Sequence, residues 1–149
     1  MNITDVVREH ERLTKRFGGW PSFHDAEVVE ARLERQGSDP HEGPILYVDV
    51  HVFEGYRNDE APSGVSWKNH TIVTFRFAGV VNLSLNDFNN QNAIMDLLIE
   101  SAGKHPNGNM PAYRVTFQPA FGIDCSFVCA AIEVHDVQSK IPPGNVYAE

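Results

Sequence analysis

A chain of 149 residues with 42% hydrophobic and 10% aromatic content is sized for one domain with its own core, and excludes a disordered polymer. Twelve basic residues against twenty acidic ones leave a net charge of −8, which repels phosphate backbones and argues against nucleic acid as a ligand. No run approaches the roughly 18 apolar residues of a membrane span, and the N-terminus lacks the apolar stretch of a secretory signal, so the expectation is a soluble cytoplasmic protein with no membrane partner.

Residues 3 to 17 place Ile3, Val6, Val7, Leu13 and Phe17 three and four apart, with Thr4 and Asp5 as cap candidates and Gly18-Gly19 closing the pattern. One amphipathic helix is expected, stabilised by covering a sheet. After Pro21 the period becomes two: Val29, Ala31 and Leu33 alternate with Glu30, Arg32 and Glu34, as in a half-buried strand. "ILYVDVHVFE" repeats the signal with Leu46, Val48, Val50 and Val52 on one side.

Residues 55 to 68, with two glycines, a proline and mixed charge, predict a long mobile connection. "HTIVTFRF" and "VVNLSL" flank Ala78-Gly79, a spacer suited to a hairpin between them. "NDFNNQNAIMDLLIESA" fits a helix through Ile94, Leu97 and Leu98 or a strand through Ile94 and Leu98; its neighbours favour a strand. "YRVTFQP" and "FVCAAIEVHDV" alternate as strands, and the tail 139–149 is expected to fray.

The sum predicts an α+β domain over 1–149, an N-terminal helix packed on an antiparallel sheet of six or seven strands, with no βαβ alternation and no internal repeat. Cys125 and Cys129, four apart on one strand, lie about 13 Å from each other at a rise of roughly 3.3 Å per residue. That span prevents a mutual disulfide and predicts buried structural thiols.

"WPSFHDAEV" admits two readings. In the first, His24 is a general base or metal ligand with Asp25 or Glu27 as its partner, which would make a small hydrolase or metal-dependent enzyme. In the second, Pro21 fixes an extended entry, Ser22 caps one helical turn with Asp25 as a capping-box relative, and Trp20 and Phe23 bury their rings. The spacing is too generic for the catalytic reading, and the architectural one needs only local residues. No HExxH, GxSxG, P-loop or paired CxxC occurs, so no cofactor or metal is expected.

Acidic residues gather in the connections: Asp39 and Glu42 in one, Glu54, Asp59 and Glu60 in another beside Tyr56 and Trp67. Carboxylates among aromatic rings suit a cationic partner, with charge quickening encounter and rings anchoring contact; a merely solvated loop reads the same way in sequence. Self-association through exposed strand edges, as in a homodimer, is a third possibility.

"GGWPSFHDAEV", the alternating strand after it, and "FAGVVNLSLNDFNNQN" resemble the bacterial immunity protein 50 family, over residues 17 to 100. The resemblance implies a single α+β domain that binds and neutralises a cognate toxin used in competition between bacteria; it carries no residue roles. An inhibitor of that kind works by occlusion, and an acidic one suits a toxin with a basic cleft. The contact candidates are Trp20, His24, Asp25, Glu27, Tyr56, Asp59, Glu60 and Trp67.

Overall fold

The N-terminal amphipathic pattern folds as two short helices and not as one. In the computed structural model, which describes residues 1–37, 39 and 41–144, α1 (Ile3–Val6) is capped by Asn2, whose side chain accepts from the Thr4 N–H at 3.1 Å. The chain then extends as β1 (Val7–Arg8), turns at Glu9 with φ 59°, and resumes as α2 (Glu11–Phe17), which ends on Gly18 in the left-handed region as the glycine pair predicts. Val7 leaves the helix because it pairs in parallel with Ile132, and Leu13 on α2 is fully buried. Arg16 ties the helix down, donating to the Thr71 hydroxyl at 2.6 Å and to Ser139.

Eight longer strands follow: β2 (Glu27–Glu34), β3 (Ile45–Arg57), β4 (Val65–Ala78), β5 (Val81–Asn86), β6 (Ala93–Lys104), β7 (Pro111–Phe121), β8 (Asp124–Cys129) and β9 (Ala131–Ser139). All nine form one mixed sheet in the order β1-β9-β4-β3-β2-β6-β7-β8-β5, parallel only at β1–β9. With 57% of the described residues in strands and 8% in helix, the expected α+β fold with six or seven antiparallel strands is incorrect; the protein is mostly sheet. β1 interrupts the helical period of residues 3–17, and "FVCAAIEVHDV" belongs to two strands, β8 and β9, and not to one.

The sheet folds over on itself. Phe77 on β4 meets Phe127 on β8 edge to face at 4.8 Å and Phe117 on β7 at 6.2 Å, although five steps of strand order separate β4 from β8. The two layers so formed bury Phe75, Phe77, Phe117 and Phe127 between them, each ring contributing about 1.5–3 kcal/mol of burial. The alternation in β3 holds throughout, with Leu46, Val48, Val50 and Val52 all buried. In β2 it fails at Leu33, which is 56% exposed, after a bulge between Val28 and Glu30.

The hairpin expected at Ala78-Gly79 does not form. Gly79 N–H donates to the Glu42 carbonyl at 2.7 Å and Val80 N–H to that of Pro44 at 3.0 Å, so the chain crosses between layers; β4 pairs with β3 and β9, and β5 with β8. Gly79, at φ 67°, lies against Ala130, where the second crossing leads from β8 to β9.

Residues 93–104 form a strand, as their neighbours suggest. Of 55–68, residues 55–57 belong to β3 and 65–68 to β4, leaving 58–64 as the turn. Ser139 still pairs in β9, Pro142 is buried, and residues 145–149 of the expected tail lie outside the described residues. Cys125 and Cys129 are free and buried on β8, and burial pushes both thiols up to about 12.

Candidate functional site

The joint between the two halves of the sheet positions "WPSFHDAE". Only one ladder pair, Glu27 with Ala93, links β2 to β6, and three backbone bonds extend it: Asp25 N–H to Ile94, Ile94 N–H to Ala26 and Val28 N–H to Asn92, at 2.9–3.0 Å. The buried Asn92 side chain braces this joint, accepting from Asn89 N–H and Ile123 N–H and donating to the carbonyls of Asn89 and Val28. Ser22 does not cap a helical turn. Its hydroxyl accepts from His24 N–H at 3.2 Å, Ala26 N–H closes a tight turn on Phe23, and Asp25 takes φ 66°, a conformation that Asp tolerates but a helix does not.

The turn is anchored from beneath by rings. Phe23 is buried 5.9 Å from Phe75, and the half-buried Trp20 lies 5.6 Å from Phe23 and 6.2 Å from Phe75. His24 stands outward, its Nδ1 donating to the Met95 carbonyl at 3.2 Å and its Nε2 3.7 Å from an Asp25 carboxylate oxygen.

Opposite this turn stands the far end of the β3–β4 hairpin. Val52 pairs with Thr71 but Glu54 with Lys68, so β4 carries one extra residue there, and Asn69 absorbs it at φ 56°. Beyond the bulge Gly55 faces Trp67, Tyr56 is 42% exposed, and the Lys68 ammonium lies 5.7 Å from the centre of the Tyr56 ring. Glu54 accepts from the Asn69 amide at 2.5 Å.

Between the two elements runs a groove of about 600 Å³. Trp20, His24, Asp25, Tyr56 and Trp67 all line it, as does Glu54, an acidic residue of the same connection that is not among the contact candidates, and so do Phe53 and Lys68, which the sequence does not mark as contacts. Their signal was available in part: Phe53 breaks the clean alternation of its strand, and Lys68 adjoins Trp67. Asp59 and Glu60 lie exposed at the hairpin tip, where Asp59 pairs with Arg57 at 3.0 Å and Glu60 N–H donates to the Asn58 side chain.

Glu27 is not in the groove. It lines a separate hollow with Asn89, Asn92 and Pro142, pairs across the ladder with His51, and has its carboxyl pushed up by burial against a lowering bond from Asn92. A hydrolytic reading is thus left with the His24–Asp25 pair alone. Among the described residues, no three His, Cys, Asp or Glu side chains are grouped so as to hold a metal ion.

Next to the groove, His51 is fully buried, stacked 5.2 Å from His70 and hydrogen-bonded to it at 3.0 Å, with Phe53 packed on both rings. Burial, aided by repulsion from His70, lowers the His51 imidazole to about 4, so it is neutral at pH 7.

The model of the family described as immunity protein 50 matches residues 9–140. The chain belongs to that family. No curated protein and no solved structure matches it. No helix among the described residues of this immunity-family protein is long and apolar enough to cross a membrane.

Proposed function

We propose that this protein is a cytoplasmic immunity protein that binds a cognate bacterial toxin and neutralises it by occlusion, with no catalysis and no cofactor. Membership of the immunity protein 50 family supports the job, and one structural observation supports the place: two segments distant in sequence, Trp20–Asp25 and Phe53–Lys68, converge on one groove that brings aromatic rings and carboxylates to the surface. Rings that carry much contact area at little entropic cost are the usual anchors of protein interfaces, and a chain of net charge −8 favours a basic opponent. Asp59 and Glu60, at the edge of this face, would steer approach more than they hold the complex.

The test is to mix the purified protein with the toxin encoded beside its gene and to follow complex formation by size-exclusion chromatography with light scattering, alongside rescue of cells producing the toxin. A complex that blocks the toxin's activity is expected, forming more slowly as salt rises. Absence of both complex and rescue would overturn the reading, as would turnover of a substrate by the immunity protein itself.

A further inference from the structure

The groove contains a clue to the chemistry of its ligand. Its one lysine does not reach into solvent alone but lies over a ring: Lys68 Nζ is 5.7 Å from the Tyr56 centroid, within the range of a cation–π contact. The ring it covers belongs to a residue that remains 42% exposed. Two carboxylates, Asp25 and Glu54, line the same groove, and among the described residues Lys68 is its only full cation, so removing that ammonium from the groove leaves a net negative, ring-lined surface.

We propose that the groove receives an arginine side chain of the partner, whose guanidinium takes the place of Lys68 on Tyr56 and is neutralised by Asp25 and Glu54. The proposal deepens the immunity reading, on which the identity of the partner rests. Arginine suits the site better than lysine for a physical reason. A planar, weakly hydrated guanidinium stacks on rings and forks to carboxylates, whereas an ammonium offers only what Lys68 already supplies. Parts of the groove are held in place: Trp20 rests on Phe23 and Phe75, the Asp25 backbone is bonded to Ile94, and the Glu54 carboxylate accepts from Asn69. The turn and the Glu54 carboxylate are thereby ordered before binding, and Lys68 is the side chain that must move.

The protein has two tryptophans, Trp20 and Trp67, and both line the groove, so its intrinsic fluorescence reports on this site. Titration of the full chain with hexaarginine, hexalysine and hexaglutamine peptides tests the proposal without any toxin. A saturable fluorescence change with hexaarginine is expected, at an affinity about fivefold above hexalysine, with none from hexaglutamine. The double variant D25N/E54Q, which keeps both side-chain shapes, should bind hexaarginine about tenfold more weakly, and Lys68→Met about threefold more tightly. A control that removes the same charge elsewhere, E100Q/D124N, should change affinity by less than about twofold. Equal response to hexaarginine and hexalysine, equal losses in the two double variants, or weaker binding by Lys68→Met would each overturn the proposal. Such failure leaves the immunity reading standing, because that reading is judged by the toxin complex.

Discussion

The two ends of β4 are built from the same kind of residue and do different work. At one end Val73, Phe75 and Phe77 point into the space between the layers and are fully buried; at the other Val65 is 38% exposed, Trp67 is half-buried and Lys68 lies on Tyr56 at the surface. Between them sits the bulge at Asn69, where Thr71 also donates its hydroxyl to the Asn69 carbonyl at 2.8 Å. An extra residue re-aims the strand beyond it, so alternation that serves packing up to Thr71 serves presentation afterwards. Aromatic content therefore does not separate core from groove; position relative to the bulge does.

That contrast can be broken or sharpened by substitution. Phe77→Ala should cost the most, about 3–5 kcal/mol in denaturant unfolding, because the cavity opens between two layers, while the affinity of the folded fraction for toxin stays unchanged. The buried histidine beside the groove gives a pH signature. Its imidazole titrates near 4 in the fold against an ordinary 6.5, so the unfolded chain binds the additional proton in that window. Stability is complete above about pH 6.5 and falls as pH drops towards 4, by about 2–3 kcal/mol. Glu27, raised by burial, contributes with the opposite sign, so the difference between the parent protein and His51→Leu isolates the histidine in acid-side melts. Trp67→Ala should reverse the Phe77 pattern, with toxin affinity reduced by about 2 kcal/mol in calorimetry and unfolding little altered. Smallest is the pair Asp59→Asn with Glu60→Gln at the hairpin tip, expected to lower the association rate at low salt and to change affinity by less than about 1 kcal/mol.

Much of this contrast was legible in the sequence because strand alternation is a local signal. Leu46 to Val52 and Val73 to Phe77 announce their buried faces without knowledge of their partners, and "WPSFHDAE" stands out by composition. Pairing is not local. Ala78-Gly79 has the composition of a hairpin, and only the carbonyls of Glu42 and Pro44, some 35 residues earlier, turn it into a crossing between layers. The helical period of residues 3–17 was present as well, but a parallel pairing of Val7 with Ile132 outweighed it. The groove is half legible: Trp20, His24, Asp25, Tyr56 and Trp67 stand out one by one in the sequence, whereas their convergence depends on the bulge at Asn69 and the brace at Asn92. Glu27 lies outside the groove because the chain enters β2 at that residue, two positions beyond Asp25, and the side chain lines a separate hollow.

The most direct test of the central claim, that this groove is the face the toxin covers, is hydrogen–deuterium exchange of the protein alone and in the toxin complex. Slowed exchange is predicted in residues 20–25 and 53–68, with the β5 edge at 81–88 unchanged. Protection confined to 81–88 or to the outer strands, with 20–25 and 53–68 exchanging as in the free protein, would contradict it.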